Sequence, residues 1–183
     1  NGSAEALEFV LGLEIEHGIV PTGTGVEQMK NSFLESKAAM IIDGPWNWAN
    51  YQSARLNIGQ TLLPIVSETG LRVAPMVAYK GYSLSTQTVH KTEAASLALW
   101  LTSAEVQREF ALSTYVMPTS VELVEDADII ADPVIAGFLE QTQHGFPAPT
   151  TRAMSMVYDP LSTAIELVYA EEDGISAQDA LSQ

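Results

Sequence analysis

The residues of this chain best placed to hold a small molecule are Asp43-Gly44-Pro45-Trp46-Asn47-Trp48. They follow the apolar run Ala38-Ala39-Met40-Ile41-Ile42, which reads as a short buried strand. Pro45 suits the first position of a new helix, because its missing N–H would be unpaired there anyway. In an open α/β sheet, ligands sit beyond the carboxyl ends of the strands, so a large aromatic at this turn can line a crevice. Trp46 and Trp48 are also compatible with plain core packing, and the residues alone leave both readings open.

Other chemistries find less support. His17, His90 and His144 are widely spaced and fall at helix ends or loops, which suits neither a metal site nor a His-based triad. No G-x-S-x-G, G-x-x-x-x-G-K or H-E-x-x-H occurs. The absence of Cys removes thiol nucleophiles, disulfides and zinc–thiolate sites together, and does not decide the compartment. The 23 carboxylates allow many pairs, but none sits in a recognisable glycosidase motif. Glu122, Glu125, Asp126 and Asp128 fit no calcium loop and read as a solvated helix face.

The 183 residues, 46% hydrophobic and 17% charged with only 12 Gly and 9 Pro, specify a folded globular chain of about one domain. The longest apolar runs, Ala38 to Ile42 and Ala94 to Leu101, fall far short of the roughly 20 residues that cross a bilayer. Eight Lys plus Arg against 23 acids give a formal charge of -15, which repels phosphate backbones and anionic lipid, so nucleic acid is not an expected partner. The first residues show no Met, basic segment or apolar segment of a targeting signal, and the start reads as internal.

The elements that must position the turn follow from periodicity. A helix is expected from Ser3, as cap, to Glu16, with Leu7, Val10, Leu11 and Ile15 on one face. A second is expected over Val26 to Ser36 with Met29, Phe33 and Leu34 inward. Strands are expected at Ala38 to Ile42, Ile58 to Leu63, Leu71 to Val77 and Ala78 to Ser85, the last broken at Gly81. Ser67-Glu68-Thr69-Gly70 reads as a turn. Thr92 to Leu101 and Val106 to Leu112 read as two helices stacked over a sheet, with Thr102-Ser103-Ala104-Glu105 as a capping box between them. A short acidic helix, a stop at Asp132-Pro133, a helix to Gly145, a bend at Phe146 to Pro149 and a long helix from Met154 to Ala170 complete the chain.

The segment Ser32-Phe33-Leu34-Glu35-Ser36-Lys37-Ala38-Ala39-Met40-Ile41-Ile42-Asp43-Gly44-Pro45-Trp46-Asn47-Trp48 resembles a signature of extracytoplasmic solute-binding proteins of the maltose/maltodextrin and trehalose/maltose type. The likeness continues in order through Gly81-Tyr82-Ser83-Leu84, the Glu93 to Ser103 helix pair, Asp132-Pro133 and Arg152 to Ser162. It implies an α/β fold of the two-lobe type II periplasmic-binding kind, with only the C-terminal portion of the pattern covered. Residues 1–78 and 131–183 would then belong to the C-terminal lobe and 79–130 to the N-terminal lobe, whose main part lies outside this chain. The remainder could sit on a second chain, could have been removed, or could never have been present.

The resemblance further implies binding rather than catalysis: a maltose-, trehalose- or maltodextrin-type sugar, captured outside the cytoplasm without a cofactor and delivered to the membrane subunits of an ABC importer. An indole or phenol face matches the C–H face of a pyranose, and polar groups at the rim meet its hydroxyls. Trp46 takes the position of the family's stacking tryptophan, whereas Trp48 falls on another face and reads as structural. Gly81 and Tyr82 resemble a Gly-Gly-aromatic turn, with Lys80 replacing the first glycine. Arg152 and Tyr158 resemble an arginine and an aromatic that touch sugar, although Ala153 stands where Pro is common and Tyr158 where the maltodextrin branch carries Trp. A fragment that serves as an interaction module and binds no sugar is the alternative.

Overall fold

A computed structural model describes residues 2–169 and 175–182. Its helices are α1 (Ser3–Ile15), α2 (Val26–Leu34), α3 (Trp48–Ser53), α4 (Lys91–Leu101), α5 (Ala104–Thr114), α6 (Ala127–Ala131), α7 (Pro133–Gln143), α8 (Ser155–Val168) and α9 (Ala177–Ala180). The strands are β1 (Ile65–Val66), β2 (Leu71–Arg72), β3 (Met76–Val77) and β4 (Phe146–Pro147). The chain forms two compact units, one of residues 1–32 and 149–183, the other of residues 33–148. Residues 79–130 fall in the larger unit together with the segments on both sides of them.

In the larger unit the core is built where α5, α6 and α7 meet. Ala111, Ile129 and Ile135 are fully buried, with Leu112, Tyr115, Met117 and Leu139 packed around them. Burying each isoleucine is worth about 1.5–3 kcal/mol relative to exposure. Short polar residues fix where these helices begin. Ser103 caps α5, its hydroxyl accepting from the Val106 N–H, one residue later than the expected capping box. Asp126 caps α6 through the N–H groups of Asp128 and Ile129, and Asp132 caps α7 through those of Val134 and Ile135. Pro133 is the first residue of α7, where its lost donor costs nothing.

The strands differ most from expectation. Ser67 to Gly70 does turn the chain, the Gly70 N–H donating to Val66 O at 2.8 Å, and β1 pairs with β2 in antiparallel register Ile65 with Arg72. The expected strand over Leu71 to Val77 splits in two, β2 in this hairpin and β3 parallel to β4. The expected bend at Phe146 is therefore the start of a strand. Pro147 is tolerated there because the ladder uses the flanking donors, Phe146 N–H to Pro75 O and Ala148 N–H to Val77 O. Gly145 precedes it because a Cβ there would lie 2.5 Å from Val77 Cγ2 and 2.8 Å from Pro75 O.

Neither Ala38 to Ile42, Ile58 to Leu63 nor Ala78 to Ser85 forms a strand. A strand requires another strand to take its N–H and C=O groups, and among the described residues these segments have no such partner. Segment 58–63 is held instead by α7: the Leu63 N–H donates to Gln141 Oε1, and Gln60 Nε2 donates to the carbonyls of Pro133 and Val134. In 38–42, Met40 and Ile42 stay exposed. The helices α4 and α5 pack on each other, but the apolar side chains Leu97, Leu99 and Trp100 of α4 face solvent and cover no sheet.

In the smaller unit α9 packs on both α1 and α8, with the alanines Ala4, Ala164, Ala177 and Ala180 buried. Gly2, not Ser3, takes the cap position of α1, and Val10 and Ile15 of its expected inner face are exposed. Ala170, the expected end of the long helix, lies outside the described residues.

Arg108 on α5 pairs with both Asp126, at 2.9 Å, and Asp128. The Ile129 N–H and then Arg108 hold the Asp126 carboxyl below its ordinary value of 3.8, and Asp126 in turn raises the Arg108 guanidinium. A carboxylate with a lowered folded-state pKa contributes stability that is complete above its unfolded value and is lost as the pH falls through the folded one. Asp126→Asn keeps a capping side chain but removes the charge. Thermal melts should show the wild-type chain more stable than Asp126→Asn by a constant margin above about pH 5, with that margin vanishing as acid protonates Asp126. A margin that persists unchanged to acid pH would assign Asp126 no charge contribution.

Candidate functional site

The Gly44 turn is organised by a carboxylate. Asp43 Oδ1 accepts the Gly44 N–H at 2.7 Å, and Oδ2 accepts Asn47 Nδ2 at 2.9 Å and the Tyr51 hydroxyl. Residues 43, 47 and 51 recur at a spacing of four, so the turn and α3 bring all three to one side. Pro45–Asn47 form a 3-10 turn that leads directly into α3.

Two residues apart, Trp46 and Trp48 then separate completely. Trp48 is 9% exposed and meets Tyr115 and Phe138 edge-to-face, both centroids 6.4 Å away. Its Nε1 is buried without a hydrogen-bond partner. Phe33 caps the other side of α3 by an edge-to-face contact with buried Tyr51 at 5.2 Å. Trp46 is 70% exposed. The two indoles therefore differ in kind: Trp48 packs in the core, and Trp46 faces solvent.

The other expected residues are also at the surface. Gly81 and Tyr82 lie on an extended segment of the larger unit, with Tyr82 58% exposed. In the smaller unit Arg152 opens a 3-10 turn, Arg152–Met154, and Tyr158 lies in the first turn of α8, 45% exposed. Pro160 follows inside α8, where it cannot donate to the carbonyl of Met156. Trp46, Gly81 and Tyr82 thus belong to the larger unit, and Arg152 and Tyr158 to the smaller.

A recess of about 500 Å³ in the larger unit lies between residues 58–62 and the start of α7, lined by Trp48, Gln60, Val134 and Gly137 among others. None of the five expected residues lines it. It runs along the contact between segment 58–63 and α7. His17, His90 and His144 are exposed, and among the described residues no group of three His, Asp or Glu is arranged to hold a metal ion. No helix among them is long and apolar enough to cross a membrane. What the sequence reading missed is the polar network under Trp46. Its signal was present in the spacing of Asp43, Asn47 and Tyr51, but a lone acid before a Gly-Pro turn has no distinguishing chemistry by itself.

Residues 1–137 match the family model described as bacterial extracellular solute-binding protein. The chain is 28% identical over 155 residues to the galactooligosaccharide-binding protein of Bacillus subtilis (strain 168), covering 82% of this chain and 37% of that protein. It is 30% identical over 138 residues to the maltotriose-binding protein of Pyrococcus abyssi (strain GE5 / Orsay), covering 73% of this chain and 30% of that protein. The solved maltose/maltodextrin-binding domain MalE from Bdellovibrio bacteriovorus bound to maltotriose superposes with a TM-score of 0.86 at 31% identity, covering 98% of this chain and 48% of that one. The chain therefore spans about a third of the length of these curated relatives and about half of the solved one. Its α/β fold is that of the type II periplasmic binding proteins, and the chain belongs to the family of bacterial extracellular solute-binding proteins.

Proposed function

We propose that this chain forms part of the binding site for a maltodextrin-type oligosaccharide in an extracytoplasmic solute-binding protein that serves an ABC importer. The single observation that carries the reading is the exposed indole of Trp46 on a turn fixed by Asp43, in a chain related to oligosaccharide-binding proteins. Pyranose rings present apolar C–H faces that stack on such a ring, while their hydroxyls seek donors and acceptors. Tyr82 offers a second aromatic with the open backbone of Gly81 beside it, and Arg152 and Tyr158 a charged donor and a third aromatic. The reading is one of binding, without catalysis or cofactor. Nucleic acid is not a partner in it, because the charge of -15 opposes phosphate.

One relative binds galactooligosaccharide and another maltotriose by name, so the panel for a ligand search contains maltose, maltotriose, longer maltodextrins, trehalose and a galactooligosaccharide. Trp46→Ala in the complete protein should weaken binding of the preferred sugar by roughly tenfold or more while leaving the melting temperature nearly unchanged, since the ring is outside the core. Trp48→Ala is the contrast: a core truncation that costs about 3–5 kcal/mol of stability. Unchanged affinity in Trp46→Ala, measured calorimetrically across the panel, would remove the stacking role.

Arg152 and Tyr158 are read as one cluster on one sugar. Their alanine variants should then be non-additive, with the double variant losing less affinity than the sum of the two single losses. Strict additivity, or no loss in either, would take them out of the site.

The two-lobe division, with 1–78 and 131–183 in one lobe and 79–130 in the other, belongs to the same proposal. It is supported by the exposed apolar side chains of α4, Leu97, Leu99 and Trp100 on more than one side of the helix, which call for covering surfaces supplied by further polypeptide, on the same chain or a second one. Hinge closure of two lobes buries most of a ligand's surface. Residues 1–183 alone should accordingly bind the sugar only at millimolar concentration or weaker, and the remaining polypeptide should restore tight binding. Micromolar binding by the 183 residues alone would show that they form a complete site. The exposure of α4, Met40 and Ile42 also favours one second reading, a module that associates with another polypeptide and binds no sugar; a flat response to the whole panel after complementation would select it.

A further inference from the structure

We propose that Gly44 is a positioning residue for the Trp46 indole, and that the Asp43 carboxylate holds Gly44 in place to act as one; the proposal rests on the reading of Trp46 as a sugar-stacking face. The backbone of Gly44 is at φ -105° and ψ 172°, ordinary extended geometry that any residue adopts. Glycine is therefore not required there by the turn. Its lack of a side chain is what lets the Trp46 ring lie where it does. A Cβ on Gly44 would stand 2.5 Å from Trp46 Cζ2 and closer still to Cη2 and Cζ3, so the six-membered ring of the indole occupies the space that any side chain at position 44 would fill.

The carboxylate then explains why this seat stays where it is. Asp43 Oδ1 takes the backbone N–H of Gly44, on one side of Trp46, and Oδ2 takes the side-chain Nδ2 of Asn47, on the other, with the Tyr51 hydroxyl of α3 as a third donor. Pro45 fixes φ between seat and ring. The chain is thus tied to Asp43 on both sides of Trp46, through the backbone of Gly44 and the side chain of Asn47, and the ring lies back over Gly44 although it is 70% exposed. An exposed indole ordinarily samples several rotamers, and ordering it on a ligand consumes part of the binding energy. A ring held in advance by Gly44 avoids that loss. Asp43, which touches no ligand in this account, acts through Gly44 and Asn47.

The test separates ring placement from sugar binding. In the folded 183-residue chain the Hα protons of Gly44 lie against the indole, so proton NMR should find them displaced upfield by the ring current, and Trp46→Ala should return them to ordinary values. Gly44→Ala is compatible with the extended backbone, so its melting temperature should match the wild type. Its Cβ must expel the ring, so the Trp46 Nε1–H resonance should move. In the complete protein Gly44→Ala should then weaken maltotriose binding by about tenfold, approaching Trp46→Ala, and the double variant should lose no more than Trp46→Ala alone. Asp43→Ala should reduce both the Gly44 displacement and the affinity, with Asp43→Asn restoring part of each through its remaining acceptor oxygen. Gly44 protons without a ring-current displacement would overturn the proposal. So would a Gly44→Ala protein that binds maltotriose like the wild type while Trp46→Ala does not. If Trp46→Ala itself binds normally, the sugar-stacking reading fails, and the Gly44 displacement alone still decides whether the seat exists.

Discussion

In the larger unit, α7 has to fill a hydrophobic core and pair the backbone of its neighbours at the same time. Asp132 sets where it begins, by accepting the Val134 and Ile135 N–H groups, and that register sends Ile135 into the core with Ala111 and Ile129. Three residues on, Phe138 meets Trp48, and at the end Gln141 takes the Leu63 N–H. Gln60 closes the same surface from the other side through the first carbonyls of the helix. A slip of one residue in α7 would rotate all of these by about 100° and break them together. The placement of the Trp48 turn, and with it Trp46, is a consequence of where this helix starts.

The same constraint explains what could be read from the sequence. Helices α4, α5 and α7 were legible because their causes are local, apolar spacing and the breaks at Thr102 to Glu105 and at Asp132-Pro133, whereas the capping roles of Ser103 and Asp132 emerged only in the structure. The strands were not, because apolar character specifies a segment fit for a sheet but not the segment that pairs with it. Ala38 to Ile42 and Ile58 to Leu63 have strand composition and no ladder, whereas Phe146-Pro147, which has turn composition, gains one from β3. Pairing is a property of two distant segments, and a periodicity argument sees only one. At the site, the residues alone left Trp46 and Trp48 both open and only the resemblance set Trp48 apart as structural; which one faced water depended on α5 and α7, far away in sequence. Asp43 went unassigned because its partners carry no unusual chemistry until the 3-10 turn folds them onto it.

The charge of the chain is compatible with the proposed class of ligand. The formal charge of -15 would oppose any anionic ligand at long range, but a neutral saccharide experiences almost none of that field. Recognition of such a ligand depends on short-range terms, apolar faces against aromatic rings and hydroxyls against directed donors. The residues singled out are of that kind: three aromatics at 45–70% exposure, an arginine and an open glycine backbone. The acidic groups play a different part. Asp43, Asp126 and Asp132 each turn their oxygens on backbone N–H groups, so a share of the negative charge is used to fix turns and helix starts.

An aromatic platform must be exposed to meet its ligand, yet exposure normally means mobility, and mobility reduces affinity because the ring's freedom is lost on binding. Burial is the usual way to hold a tryptophan, and Trp48 shows it, wedged between Tyr115 and Phe138. Trp46 cannot use that route. What remains is to fix the chain on both sides of the residue, through the backbone of Gly44 and the side chain of Asn47, and to give the ring a surface without side-chain atoms to lie on. Asp43 supplies the first through Gly44, Asn47 and Tyr51, and Gly44 the second. The order Asp-Gly-Pro-Trp-Asn is therefore a physical unit: an acceptor, a bare seat, a fixed φ, the ring and a returning donor, each needed so that an exposed indole can be rigid.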